Sequence, residues 1–369
     1  MDTDDRYVFL VEWYDQPADL VRKYHLTYYC LDRTVDMFDL KNRRSFLKRT
    51  QAPGLSLADL FVGNTLTLFA RQLKVADFAD AFTRAKFESR RSRTFALIKP
   101  DAYSHLGSIL TLILQSGFKV NRLKMLRLSP AQAQTLSLEP QSQSNSETLA
   151  YLTSDVVTGL ELVGESAVSL WKELMGPANS LTARVDRPDS IRAKYGTDGS
   201  RNAVHGSDSQ ASAGRELEFF FSLPGNSAVL NNCTCCIIKP HAMAQSGAIL
   251  TAILEEGFEV SALQLFNLDK QTAEDFLEVY KGVLPEYAQM VEELASGPCL
   301  ALEVRQENAV PAFRVLCGPY DPDAARRTNP QSLRAKFGTD RVQNAVHCSD
   351  LQEDGVLEVE FFFQLLASK

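Results

Sequence analysis

The 369-residue sequence has no apolar run near the roughly 20 residues that a membrane-spanning helix requires, so no membrane segment is expected. Its opening stretch, MDTDDRYVFL, is acidic where a secretory leader would be basic, and no leader is expected. Positive charge is not in excess: 39 Lys and Arg stand against 46 Asp and Glu. A general nucleic-acid binder would be basic, so that class is not expected. The seven cysteines are odd in number, and Cys233, Cys235 and Cys236 in NCTCCIIKP lack the C-x-x-C spacing of a zinc site. Buried, reduced thiols are predicted instead, and no metal ligand set. Histidine is scarce, with five in the chain. Two of those five lie in nearly the same phrase, RNAVHGSDS at 201–209 and VQNAVHCSDL at 342–351.

The phrase belongs to a larger repeat. LGSILTLILQSGFKV (106–120) matches SGAILTAILEEGFEV (246–260), and IRAKYGTD (191–198) matches LRAKFGTD (333–340). LEFFF (217–221) and VEFFF (359–363) follow in the same order, so two units are predicted at 94–222 and 233–366. Each is domain-sized, unlike a solenoid repeat. A hydrophobic content of 45% is enough for real cores.

Each unit opens on an apolar run ending in Lys-Pro, TFALIKP (94–100) or CCIIKP (235–240), which reads as a buried strand. Amphipathic helices are predicted over 106–116 and 246–256, stopped by Gly117 and Gly257. Second strands follow at 118–128 and 258–268, third strands at 156–164 and 299–306, and a terminal strand is expected over each FFF. The order predicts an α+β sandwich of the split-βαβ kind rather than a doubly wound sheet.

Residues 1–91 differ in kind. RYVFLVEWYD (6–15), KYHLTYYCLD (23–32), TVDMFDL (34–40) and NTLTLFARQLKV (64–75) alternate apolar and polar residues, as strands do. VADFADAFTRAKFE (75–88) reads as a closing helix with Phe78, Phe82 and Ala85 on its stripe. Residues 1–93 carry 16 Lys and Arg against 13 Asp and Glu, while the remainder carries 23 against 33. KNRRSFLKR (41–49) and RRSR (90–93) could meet an acidic partner or form a solvated basic face.

The chemistry-bearing residues of the first unit are Lys99, Arg192, Asn202, His205, Ser207, Asp208 and Glu216. Imidazole can act as a covalent nucleophile. Phosphoryl transfer needs positioning and charge neutralisation, which Lys99 as a point charge and Arg192 as a fork would supply. Glu216 could hold one ring nitrogen of His205 and leave the other free. A buried histidine in a polar turn is the competing reading.

The motifs KPD (99–101) with NAVHGSD (202–208), and KPH (239–241) with NAVHCSD (344–350), resemble those of the nucleoside diphosphate kinase family. The resemblance implies two tandem ferredoxin-like sandwiches that exchange a terminal phosphate between nucleotides through phosphohistidine, with Mg²⁺ carried by the nucleoside triphosphate. It implies His205 and His347 as catalytic residues. It further implies Lys99, Lys172, Arg192, Asn202, Lys239, Arg314, Arg334 and Asn344 as nucleotide- or phosphate-binding, with Ser207, Glu216, Ser349 and Glu358 in support. Residues 1–91, through WYD (13–15), RKYHLTYYCLDRTVD (22–36) and FLKR (46–49), resemble a DM-ten domain, which is pleckstrin-homology-like. That combination resembles ciliary members of the family. It implies the cytoplasm and cytoskeleton, in the axoneme of cilium or flagellum, with tubulin of the doublet microtubule and other axonemal proteins as partners. The tethered units are expected to pack as an internal pseudo-dimer.

Both copies depart from the family pattern. Lys172 stands for an Arg and Ala178 for a Thr, and SLEPQSQSNSETLAYL (137–152) has no aromatic residue or Arg between Leu138 and Leu149 to stack on a base. In the second unit Tyr320 stands for the Thr, His241 for the Asp of KPD and Cys348 for a Gly; Tyr287 is a candidate ring for the base. Tyr320 is expected in the phosphate path, which favours His205 over His347. The expectation is a microtubule-organising protein with at most weak phosphotransfer; the alternative is a fully active kinase supplying nucleoside triphosphates in the cilium.

Overall fold

The computed structural model describes residues 6–15, 18–69, 71–87, 92–136 and 146–367. Strands β1 (Arg6–Asp15), β2 (Leu20–Tyr29), β3 (Thr34–Asp39), β4 (Arg44–Gln51), β5 (Thr65–Leu68) and β6 (Arg71–Phe78) form one antiparallel sheet in the order β4-β3-β2-β1-β6-β5. Strand alternation puts Tyr7, Phe9 and Val11 of β1 and Tyr24, Leu26 and Tyr28 of β2 on the buried face. Helix Ala81–Phe87 closes that face, with Phe87 edge-on to Tyr7 at 4.6 Å.

Two expectations change here. The stretch 64–75 is a hairpin rather than one strand, because the chain reverses at Phe69 (φ 48°) and pairs Leu68 with Arg71. The hairpin lets Leu66, Leu68, Leu73 and Val75 all reach one core. The closing helix begins after Phe78, and its buried residues are Thr83 and Phe87 rather than Phe82.

The repeated units contribute β7 (Ser92–Ile98), β8 (Lys119–Arg127), β9 (Val156–Gly164) and β10 (Val204–Gly206), then β11 (Cys233–Ile238), β12 (Glu259–Asn267), β13 (Pro298–Arg305) and β14 (Val346–Cys348). They form a single eight-stranded sheet in the order β10-β7-β9-β8-β12-β13-β11-β14. The two halves meet where Gln264 pairs with Lys124. Above that joint, helices Leu106–Gln115 and Ser246–Glu255 touch through glycine. A Cβ at Gly107 would lie 2.4 Å from the Thr251 backbone nitrogen, and one at Gly247 2.5 Å from that of Thr111. One apolar core runs through both units.

The FFF segments are helical, not strands: Gln210–Ser222 is an α-helix, and Asp354–Glu360 continues into a π-helical stretch, Phe361–Leu366. Leu217 and Phe220, one helical turn apart, are buried against the sheet near Phe95 and Leu97. The strand next to the first one is instead the histidine phrase itself. No helix among the described residues is long and apolar enough to cross a membrane.

Candidate functional site

Each histidine phrase begins with a backbone turn. Ala203 and Ala345 have φ of 65° and 68°, the left-handed region that costs an L-residue about 1–2 kcal/mol. Each turn is held by the third residue of the Lys-Pro motif. The Ala203 N–H donates to Asp101 Oδ2 at 3.0 Å, and the Ala345 N–H donates to His241 Nε2 at 3.1 Å. His241 in turn hydrogen-bonds Glu293 through Nδ1 at 2.6 Å. An imidazole thus replaces a carboxylate as acceptor, a structural job that the sequence did not single out. The turn feeds β10 and β14, whose His205 and His347 pair with Leu97 and Ile237 of the opening strands.

Around His205 the expected side chains are brought together. Its Nε2 lies 3.3 Å from Glu216 Oε2, and Ser207 Oγ donates to the same oxygen at 2.8 Å. Lys99 Nζ donates to Asn202 Oδ1 at 2.8 Å, while Asn202 Nδ2 donates to the Ala178 carbonyl at 2.7 Å. Arg192 donates to the carbonyls of Gly176 and Val204, at 2.9 and 3.2 Å, and so braces the turn. Lys172 Nζ donates to the Asp208 carbonyl at 3.0 Å and also pairs with its carboxylate. Burial lowers the His205 pKa, outweighing the pull of Glu216, with Lys99 and Arg192 adding to the depression. The neutral imidazole is thereby favoured. The stretch 137–145, expected to lack a base platform, lies outside the described residues.

The second unit repeats the frame. His347 Nε2 is 2.8 Å from Glu358 Oε2, and Ser349 Oγ donates to that oxygen at 2.8 Å. Burial opposes the charged imidazole, but the Glu358 carboxylate prevails and the His347 pKa is raised. Beside it lies a cavity of about 1010 Å³ whose wall includes Lys239, Arg314, Arg334, Asn344 and His347. Lys239 donates to the Val342 carbonyl at 2.8 Å, and burial with the nearby Arg334 charge pushes its pKa down to about 7. Because Lys239 turns to Val342, the buried Asn344 Oδ1 has no partner, whereas Asn202 Oδ1 receives Lys99. Arg334 donates to Gly318 and Val346 carbonyls, at 2.9 and 3.2 Å.

Three residues at this cavity were not foreseen. Asp350 accepts from Tyr280 Oη at 2.6 Å and from Arg314, and these donors hold its pKa low against burial. Phe276 presents its ring edge-on to His347 at 5.1 Å. Asp350 closes the NAVHCSD motif, as Asp208 closes the first copy, whereas Phe276 and Tyr280 carry no motif signal. Tyr287, a candidate ring for the base, packs partly buried against the adjoining core. Tyr320 lines the cavity, its hydroxyl turned to Met290 Sδ at 3.4 Å and its ring beside Arg334 and Arg341. Among the described residues no group of three or more His, Cys, Asp or Glu is arranged to hold a metal ion.

Residues 1–89 match the family described as nucleoside diphosphate kinase 7 N-terminal PH domain, and residues 92–224 and 232–367 each match nucleoside diphosphate kinase. Nucleoside diphosphate kinase homolog 7 of Rattus norvegicus is 49% identical over 370 residues, covering 98% of this chain and 94% of that protein. The Mus musculus protein of the same name gives the same figures. A crystal structure of Aquifex aeolicus nucleoside diphosphate kinase is 38% identical over 36% of this chain and 96% of its own, with a TM-score of 0.35. The chain belongs to the nucleoside diphosphate kinase family, with two kinase-family domains behind an N-terminal pleckstrin-homology-like domain.

Proposed function

We propose that the chain binds nucleoside triphosphates and accepts their terminal phosphoryl group on His347, with turnover below that of a complete kinase site. The observation that carries this is the cavity that gathers Lys239, Arg314 and Arg334 around His347, with the buried Asn344 oxygen unpartnered. An unmet buried acceptor costs about 1–3 kcal/mol, and a sugar hydroxyl of a nucleotide would satisfy it. Glu358 holds Nε2 of the ring, which leaves Nδ1 as the nucleophile. Nδ1 attacks the terminal phosphorus, the bridging P–O bond breaks, and the nucleoside diphosphate leaves; a second diphosphate reverses the step. Mg²⁺ entering on the triphosphate would neutralise phosphate charge, consistent with a cation held mainly by substrate phosphates. The three protein cations supply the rest. The strand order fourth–first–third–second within each unit supports a ferredoxin-like split-βαβ reading, and the joined sheet supports an internal pseudo-dimer.

This reading favours His347 over His205, the reverse of the sequence expectation, because the cavity gathers Lys239, Arg314 and Arg334 beside His347. Incubation with γ-labelled ATP should give an acid-labile label that His347→Ala removes and His205→Ala largely spares. Equal labelling of the His347→Ala chain would overturn the assignment, and no label in any chain would overturn phosphotransfer itself.

A second reading, association with the acidic surface of microtubules in the axoneme and so a cytoskeletal, ciliary setting, is favoured by one surface. β4 is an edge strand, and Lys41, Arg43, Arg44 and Lys48 on it and its preceding turn are exposed. Such charge steers association with acidic partners and weakens with salt. Co-sedimentation with microtubules should fall several-fold when these four are changed to Glu; unchanged pelleting would refute this placement.

A further inference from the structure

The wall of the second cavity carries chemistry that phosphoryl transfer does not use. Where the first unit has Ala96, Met175 and Gly206, the second has Cys236, Cys317 and Cys348, all buried. The side chains at the last two positions face each other. In the first unit a Cβ built on Gly206 would lie 2.8 Å from Met175 Cε and 2.2 Å from Trp171 Cδ1. The second unit replaces that tryptophan with Phe313 and that methionine with Cys317, which clears the room that the Cys348 side chain takes. Cys317, at the end of helix Ala309–Cys317, hydrogen-bonds Cys348 through its thiol. Arg334 Nη2 also reaches Cys348 Sγ, at 3.5 Å. Cys348 lines the cavity, so a small solute has a route to it.

We propose that Cys348 and Cys317 are an oxidisable dithiol in the cavity wall, a modification site that takes a hydroperoxide as its oxidant. The Cys348 thiolate attacks one peroxide oxygen; an S–O bond forms, the O–O bond breaks, and hydroxide leaves to become water. Cys317 then attacks the sulfenic sulfur; the S–S bond forms, the S–O bond breaks, and the departing hydroxide takes the Cys317 proton as a second water. Two thiols are oxidised and one peroxide is reduced. The division of roles follows the surroundings. The Cys317 hydrogen bond lowers the Cys348 pKa against the opposing effect of burial, with Arg334 and His347 assisting. Burial raises that of Cys317. The thiolate is the nucleophile, so Cys348 attacks first. Cys236 is the register partner of Cys348 across β11 and β14, and is the rival second thiol. The existing Cys317 hydrogen bond favours Cys317.

The site does not depend on nucleotide binding, and neither does its test. The full chain is treated with hydrogen peroxide at neutral pH, remaining thiols are alkylated, and non-reduced peptides are read by mass spectrometry. A Cys317–Cys348 cross-linked peptide is expected, and it should persist in the Cys236→Ala chain. In Cys317→Ala, dimedone should trap a sulfenic acid on Cys348. Cys348→Gly, which restores the first unit's residue, should abolish the cross-link with an unchanged circular dichroism spectrum. Cys348 left alkylatable while other thiols oxidise, a Cys236–Cys348 link, or no dimedone adduct would each overturn the proposal.

Discussion

At the scale of single residues, the repeated phrase is first a strained turn and then the proposed nucleophile. Ala203 and Ala345 accept a left-handed backbone because Asp101 and His241 capture their N–H groups. The two histidines then part company through their surroundings. Only neutral imidazole can attack phosphorus, and the His205 pKa is lowered while that of His347 is raised. As pH falls, His347 should protonate first. In a proton NMR titration of the full chain, the His347 ring resonances should therefore titrate at a higher pH than those of His205. Lys239, near pH 7 half-neutral in the empty site, should gain a proton when phosphate arrives. Calorimetry in buffers of different ionisation enthalpy should show proton uptake on nucleotide binding at pH 8, lost in Lys239→Met. Position 206 offers an asymmetric test. Gly206→Cys drives its Cβ into Trp171 and should destabilise by about 1–3 kcal/mol in urea unfolding. Trp171→Phe in the same chain should recover part of that loss.

At the scale of elements, the terminal FFF helices carry the main departure from the sequence reading. Three consecutive phenylalanines suit a strand, yet Leu217 and Phe220 sit three apart on one buried helical face, and the glutamate that holds the histidine lies on the same helix. A strand would alternate faces and would put Leu217 and Phe220, an odd number of residues apart, on opposite sides, so both could not be buried against one sheet. Phe220→Ala should cost about 3–5 kcal/mol by chemical denaturation, since its ring is fully buried. Phe221→Ala should cost less, because Phe221 is half-buried beside Arg122. The β5–β6 hairpin was read as one strand for a similar reason: nothing in NTLTLFARQLKV announces the left-handed Phe69 that reverses it.

At the scale of the whole molecule, the two units share one sheet and one core. Gly107 and Gly247 let their helices approach so closely that any side chain at either position meets backbone. Tyr103 adds a tie across the joint, its hydroxyl donating to the Val260 carbonyl at 3.0 Å and accepting from the Val260 N–H at 2.7 Å. Scanning calorimetry of the native chain should show the two units melting together. Gly107→Val should lower that transition and split it in two; an unsplit transition at the native temperature would contradict the joint as drawn.

What the sequence by itself determined was local: the duplicated Lys-Pro and N-A-V-H motifs, the glycine-stopped helices and the strand-rich first 90 residues. These depend on near neighbours and on period, which a linear text preserves. The tertiary structure decided which side chains gather at the cavity beside His347. Asp350 closes the histidine motif, but Tyr280 is 70 residues and Arg314 36 residues from it, and only the fold brings those two to it. Tyr320 meets Met290, 30 residues away, only through the fold, its hydroxyl 3.4 Å from Met290 Sδ.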